Sequence, residues 1–153
     1  MFRYCLASLV AAFPLLACSE PIGTVSDLRT GFRIEPSVVR AGDSMVAKLV
    51  ITNPTDDSIR ISSGSSCVTT LDALRDDRRL DLQGTAFGCL TVVTTFVIPP
   101  RDSLVRVFDL VAMLREDQSP WRYVNPPPVG AYQLRAAMEV NLPDQYVAFQ
   151  VTP

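Results

Sequence analysis

The alternation of hydrophobic and polar positions along the chain is clearest at residues 45–51. Four apolar side chains occupy every second position there: Met45, Ala47, Leu49 and Ile51. The positions between them are mixed and include Lys48, the only lysine of the chain. Because successive side chains of a strand point to opposite faces, the pattern predicts a β-strand with one fully apolar face.

A turn signal, NPTDD, follows at residues 53–57. Pro54 lacks the N–H group that a strand ladder needs, and asparagine and aspartate favour turns. Ile59 and Ile61 then resume the period of two. The stretch 45–61 therefore predicts a hairpin, and both of its strands need a second sheet to cover their apolar faces.

Further strands are predicted where apolar residues alternate or β-branched residues cluster. They lie at residues 31–35, 67–74, 80–82, 90–98, 104–114, 131–140 and 146–151. Asp109 interrupts the alternation of its strand, which predicts a β-bulge there. About eight short strands, with a turn signal roughly every ten residues and no helical pattern, predict an all-β fold: an antiparallel, immunoglobulin-like β-sandwich.

The first 17 residues have the composition of a secretory signal. Arg3 supplies positive charge, and the apolar run at 6–16 is too short for a good membrane-spanning helix. The run ends in Leu15-Leu16-Ala17-Cys18, which resembles the lipobox of bacterial lipoproteins. The resemblance implies lipidation of Cys18 and, because Ser19 rather than aspartate follows it, sorting to the outer membrane. An ordinary secretory signal that contains a cysteine is the alternative.

This organisation divides the chain into a signal peptide at 1–17, a tether at 18–30 and a β-sandwich domain at 31–153. The expected location is the cell envelope, with a lipid anchor in the outer membrane and the domain facing the periplasm or the cell surface. Removing residues 1–17 leaves 13 basic and 16 acidic side chains, since only Arg3 is lost. The basic residues are scattered, so we expect no nucleic-acid partner.

Cys67 and Cys89 remain as a pair once Cys5 is assigned to the signal and Cys18 to the anchor. In an oxidising compartment an even pair predicts a disulfide, which closes a loop and contributes about 3 kcal/mol by the chain-entropy estimate. The alternative, a metal site, needs further ligands, and the chain has no histidine.

No catalytic signature is present, so we expect no enzyme, no cofactor and no metal site. The serines at 62–66 have no histidine to act as their base, and we interpret them as a loop. Calcium ligands are one interpretation of four nearby acids: Asp72, Asp76, Asp77 and Asp81. Arginines are interleaved with them and would repel a cation, so the sequence favours a solvated, self-neutralising hairpin tip.

The segment 115–130 is the longest stretch without periodicity. Its candidate binding residues are Trp121, Tyr123, Pro126 and Pro127. Consecutive prolines stiffen a chain, and long loops in compact domains are often functional. The segment therefore predicts a binding loop, and the alternative is that Trp121 folds back to cap one end of the core.

Four stretches together resemble the BsuPI domain, the β-sandwich named after a Bacillus intracellular proteinase inhibitor. They are VAKLVITNPTDDSIRI, the serine–glycine connector at 62–66, TTFVIPPRDSL and PVGAYQL, and they fall within residues 43–140. Family members typically have Tyr-Asp after the connector, where this chain has Cys67-Val68, and a glycine where it has Pro99-Pro100-Arg101. The resemblance implies the sandwich fold and protease inhibition.

The stretch Gly130-Ala131-Tyr132 is similar to a tyrosine corner, in which the hydroxyl bonds to an upstream backbone group. Taken together, the sequence predicts a non-catalytic outer-membrane lipoprotein whose β-sandwich binds a protein or another envelope component. The alternative function is a proteinase inhibitor of BsuPI type that acts through the exposed loop 115–130, because a proline-stiffened loop loses little entropy on binding.

Overall fold

The computed structural model describes residues 22–85, 88–115 and 122–153, and this part of the chain is almost entirely β-structure. One 3-10 turn lies at Val25–Asp27. The strands are β1 (Ile22–Gly23), β2 (Arg29–Glu35), β3 (Val38–Arg40), β4 (Ser44–Thr52), β5 (Ser58–Ser63), β6 (Thr69–Arg75), β7 (Arg78–Leu80), β8 (Leu82–Gln83), β9 (Thr94–Ile98), β10 (Ser103–Arg115), β11 (Tyr123–Asn125), β12 (Gly130–Met138) and β13 (Gln145–Thr152). The expected all-β sandwich is confirmed.

The strands form two layers. In the first layer β11, β10, β4 and β2 lie side by side, and β8 also pairs with β10; we call this the tall sheet. The second layer contains a lower sheet, β1-β5-β9, and an upper sheet, β3-β13-β12-β6-β7. The chain passes from β5 directly into β6, so residues 64–68 connect the lower sheet to the upper one.

The inner face of β4 contributes to both halves of the core. All four predicted apolar residues of this strand are buried. Met45 and Ala47 pack against the upper sheet, in a cluster with Leu134. Leu49 and Ile51 pack against the lower sheet, in a second cluster. The alternation at 45–51 is therefore confirmed, and the strand joins two apolar clusters.

The predicted hairpin between β4 and β5 is wrong. β4 pairs with β2 and β10, whereas β5 pairs with β1 and β9. The two strands lie in different layers and bury their apolar faces against each other across the lower core. Alternation determines which face of a strand is buried, but it does not determine whether the next strand lies beside it or opposite it.

Asn53 holds the crossover between the layers. Its buried side-chain Nδ2 donates to the carbonyls of Asp57 (2.7 Å), Ile98 (3.0 Å) and Pro99 (2.9 Å). Its Oδ1 accepts from the backbone N–H (3.0 Å) and the hydroxyl (2.7 Å) of Thr55. One amide thus ties the turn after β4 to the turn after β9.

The same end of the sandwich contains β1, because Ile22 lies opposite Ser58 at the start of β5. We call it the Asn53 end, and it comprises residues 53–57, residues 99–102 and β1. Here the backbone N–H of Arg101 donates a hydrogen bond to the Thr55 carbonyl (3.2 Å). The Arg101 side chain donates to Asp56 (2.9 Å), and this hydrogen bond holds the pKa of Asp56 below its ordinary value.

The predicted bulge at Asp109 is also wrong. β10 keeps a continuous antiparallel register with β4 from Ser103 to Val111, with Asp109 opposite Val46. Asp109 lies on the outer face of the tall sheet, which also exposes Val105 and Val107. The alternation of inward and outward side chains is intact. It is hard to see in the sequence because the outer face of this strand is itself rich in valine. The irregular register of β10 occurs later, beyond Val111.

The disulfide between Cys67 and Cys89 is present, with 5.6 Å between the two α-carbons. Such a distance lies within the range that a disulfide allows. Cys67 follows β5 and Cys89 precedes β9, which are neighbours in the lower sheet. The bond therefore lies where the lower sheet gives way to the upper one.

The strand predicted at 90–98 begins only at Thr94. Two hydrogen bonds link Leu90, which precedes this strand, to Ser66. The backbone N–H of Ser66 donates to the Leu90 carbonyl (2.9 Å), and the backbone N–H of Leu90 donates to the Ser66 hydroxyl (2.8 Å). These bonds and the adjacent disulfide hold residues 88–93 in a loop instead of a ladder. The apolar composition of this stretch therefore reflects exposed side chains and not a longer strand.

Part of the segment predicted as a tether belongs to the folded domain. β1 pairs in parallel with β5, Leu28 is buried in the lower cluster, and β2 begins at Arg29. The fold thus includes residues 22–30. Residues 18–21 of the predicted tether lie outside the described residues.

We expect Asn53→Ala to lower the free energy of unfolding by about 1–3 kcal/mol, because it leaves buried carbonyls without their donor. Urea unfolding of the purified protein measures this change. Asn141→Ala is the matched control, because Asn141 is exposed, and it should change the free energy by less than about 0.5 kcal/mol. Equal stability of the two variants would contradict the role assigned to Asn53.

Candidate functional site

Some of the residues predicted as functional sites lie in the described part of the chain and others do not. Cys18 and Trp121 lie outside the described residues, so lipidation of Cys18 and the binding or capping role of Trp121 stay predictions. Tyr123 is half-buried in β11, which pairs with the last residues of β10. Pro126 is exposed and Pro127 is buried. The described part of the predicted binding loop is therefore seated on the domain, with Pro126 facing solvent.

Tyr132 organises the end of the sandwich to which these residues belong. Its hydroxyl donates to the carbonyl of Pro128, as expected for a tyrosine corner. Arg75 Nη1 donates to the Tyr132 hydroxyl (3.1 Å) and to the Pro128 carbonyl (3.3 Å). The Tyr132 ring stacks on Phe149 with 5.3 Å between centroids. A buried aromatic pair thus anchors the proline segment to the core.

We call this region the Tyr132 end; it comprises residues 75–78, β11 and residues 126–130. Residues 75–78 form the tight turn between β6 and β7, in which Asp76 and Asp77 have φ of 49° and 59°. Two consecutive positive φ values are typical of a two-residue hairpin turn. The charged hairpin tip predicted from the sequence is therefore confirmed.

Two hollows flank Arg75 at the Tyr132 end. One, of about 340 Å³, extends along the hairpin turn towards Gln133 and Ala148. The other, of about 380 Å³, lies between the hairpin and Pro128. Gly130 lies between the hairpin and the loop with φ of +148°, and a Cβ there would come within 3.3 Å of the Arg75 guanidinium. The positive φ favours glycine at this position, and a side chain there would also press on the Arg75 guanidinium.

A chain of charges crosses the upper sheet and reaches the tall sheet. Asp72 accepts hydrogen bonds from Arg135 and lies 2.7 Å from Arg79 Nε. Asp81 pairs with Arg115 at the end of β10. The hydrogen bond to Asp72 raises the pKa of Arg135. These pairs neutralise Asp72 and Asp81, but the sequence predicted neutralisation by the arginines interleaved with the acids. Only Arg79 of these pairs belongs to the hairpin, and Arg115 and Arg135 come from other strands.

Two interpretations of residues 62–81 are wrong. Ser62 and Ser63 belong to β5 and not to the loop predicted at 62–66, and Asp72 is not solvated. Asp72 is only 3% exposed because Arg135 and Arg79 cover its carboxylate from the neighbouring strands. Ser63 is buried because its hydroxyl donates to the Cys67 carbonyl (2.8 Å) beside the disulfide. Both are satisfied polar groups in the framework.

Within the described ranges, no three histidine, cysteine, aspartate or glutamate side chains are grouped so as to hold a metal ion. No helix in the same part of the chain has the length and apolar character needed to span a membrane.

Arg106 is a residue that the sequence interpretation missed. It lies on the inner parity of β10, opposite buried Leu49, and its guanidinium lies 5.5 Å from the centre of the Phe96 ring. Arg106 also lines a small cleft of about 170 Å³ beside Cys67. The signal was available, because Arg106 shares the parity of Leu104, Phe108 and Leu110, and a charge among inward apolar positions marks an unusual site.

No family model matches the chain, and no curated protein sequence matches it. Similar solved structures include a β-glucosidase from Erythrobacter marinus (13% identity, TM-score 0.49), Escherichia coli alpha-2-macroglobulin (17%, 0.48) and the alkylpurine DNA glycosylase AlkC of Pseudomonas fluorescens (8%, 0.47). The alignments cover 82%, 82% and 83% of this chain, but only 15%, 16% and 31% of the chains in those structures. All three TM-scores are below 0.5, and these similarities carry no argument about activity.

We expect Tyr132→Phe to lower the free energy of unfolding by about 1 kcal/mol, because it removes the donor to the Pro128 carbonyl but keeps the ring stack. Amide hydrogen exchange should also become faster at residues 129–131. Tyr146→Phe is the control, since Tyr146 is exposed, and it should leave exchange at 129–131 unchanged. Unaltered exchange in Tyr132→Phe would show that the corner does not hold the loop.

Proposed function

We propose that this chain is an outer-membrane lipoprotein, anchored through Cys18, whose non-catalytic β-sandwich binds a protein or another envelope component at the Tyr132 end. The observation that carries the proposal is the position of β1. The first described residue after the lipobox, Ile22, pairs with Ser58 at the Asn53 end of the sandwich. The Tyr132 end, with the predicted binding loop, lies at the opposite end.

The length of chain between the anchor and the domain supports this orientation. Four residues from Cys18 to Ile22 reach at most about 14 Å. A lipidated Cys18 would therefore keep the Asn53 end close to the lipid headgroups. The polar, charged side chains of Asp56 and Arg101 at that end suit a surface that faces headgroups and water.

The length of β10 separates the two ends. This strand has 13 residues and therefore spans about 40 Å from Ser103, at the Asn53 end, to Arg115, at the Tyr132 end. Tyr123, Pro126 and the hollows beside Arg75 would then face away from the membrane. That placement suits a surface that meets a partner in the periplasm or outside the cell.

A proteinase inhibitor of BsuPI type is a second candidate function for the same end. The observation that favours it is the bracing of the proline segment: Pro127 is buried and Pro128 is held by Tyr132, while Pro126 remains exposed. An exposed segment that is already rigid loses little entropy when it enters a protease cleft. Titration of serine proteases with the purified protein separates inhibition from passive binding.

The proposed anchor and orientation predict two results for the full chain expressed in a Gram-negative host. Its intact mass should show a diacylglycerol adduct, which Cys18→Ser should abolish. In nanodiscs with headgroup-quencher lipids, a fluorophore on Asp56→Cys should be quenched strongly and one on Pro126→Cys should not. An unmodified soluble protein would overturn the anchor, and equal quenching at both positions would overturn the orientation.

A further inference from the structure

The cleft beside the disulfide contains the Arg106 guanidinium, which has no acidic partner among the residues that the structure describes. Four arginines are half-buried in the described structure: Arg75, Arg106, Arg115 and Arg135. Three of them donate hydrogen bonds to oxygen atoms of the protein. Arg106 instead contacts the Phe96 ring, and among the described residues no carboxylate lies within ion-pair distance of it.

The walls of this cleft are rigid and partly polar. They are formed by Ser66, Cys67, Val68, Thr69, Arg106 and Phe108. Cys67 is fixed by the disulfide, and the Thr69 hydroxyl donates to the Ala137 carbonyl (2.8 Å). The volume of about 170 Å³ is enough for a carboxylate and a few carbon atoms, but not for a long acyl chain.

The loop at 88–93, which we call the apolar loop, borders the cleft through Ser66 and Cys67. It exposes Leu90 by 70% and Val93 by 77%, the largest values among the exposed large hydrophobic side chains of the described structure. Its backbone is held by the disulfide and by the two hydrogen bonds with Ser66. The backbone N–H of Val92 also donates a hydrogen bond to the Leu90 carbonyl (2.9 Å). Exposed aliphatic side chains on a rigid loop are typical of a contact surface.

We propose that the Arg106 cleft and the apolar loop together bind an acidic peptide segment of a partner protein. A glutamate or aspartate carboxylate would accept charge-assisted hydrogen bonds from the Arg106 guanidinium, and an aliphatic neighbour would pack on Leu90 and Val93. A guanidinium that no carboxylate of the described residues pairs with, beside an apolar surface, is complementary to such a segment in both charge and hydrophobicity. This site is separate from the Tyr132 end, so the proposal goes beyond the binding function proposed above and depends neither on that end nor on the lipid anchor.

The test uses the full chain in detergent and three pools of nonapeptides that differ only at the central residue. The central residue is glutamate, glutamine or lysine, and leucine or valine flanks it in every pool. We expect the glutamate pool to be enriched at least about fivefold over the other two. Arg106→Gln should weaken binding of the enriched peptides about tenfold, which is the loss expected for one charge-assisted hydrogen bond.

Matched controls separate the cleft from general effects of charge and hydrophobicity. Arg60→Gln removes an exposed arginine of the lower sheet, and Val107→Ser removes an exposed valine of the tall sheet; both should bind as the unchanged protein does. Leu90→Ser and Val93→Ser change only exposed side chains, so they should fold normally and should each weaken binding several-fold.

Three results would overturn the proposal. The first is equal enrichment of the glutamate and glutamine pools, and the second is binding that neither Arg106→Gln nor Leu90→Ser weakens. The third is Arg106-dependent binding of oleate, or of a second copy of this chain, without enrichment of acidic peptides. Because lipidation is measured separately by mass, each of these results would leave the proposed anchor standing.

Discussion

The buried face of β4 is the constraint on which the rest of the structure depends. A strand with one apolar face must cover that face, and β4 does so against two different sheets. Its first half packs on the upper sheet and its second half on the lower sheet. Because one strand serves both clusters, neither half of the second layer can separate without exposing part of β4. The single amide of Asn53 then fixes where the chain leaves this strand.

The sequence predicts which face of each strand is buried better than it predicts which strands pair with one another. The buried faces of β4, β12 and β13 follow from their alternation, and the disulfide was predicted from the number of cysteines and the expected oxidising compartment. The partner of β5 could not be predicted, because hairpin pairing and packing across the core bury the same face. β1, β3 and β11 have two or three residues each, which is too short for any periodicity to show.

The candidate binding surfaces are rigid because a hydrogen bond or a disulfide ties each of them to the folded core. The Tyr132 corner holds the proline segment, and the disulfide holds the apolar loop where the two sheets of the second layer meet. The sequence marks the prolines and the cysteines at both places. It could not show that no carboxylate of the described part of the chain pairs with Arg106, because that depends on which strands lie around it in three dimensions.

Native-state hydrogen exchange at increasing urea tests the central role of β4 most directly. If both clusters depend on this strand, the amides of Ala47, Leu49 and Ile51 should exchange only through global unfolding, with the highest opening free energy in the domain. Amides of β5 should then open at the same free energy or a lower one. If β4 amides exchange at a lower free energy than those of β12 and β13, the upper sheet is stable without β4 and the account is contradicted.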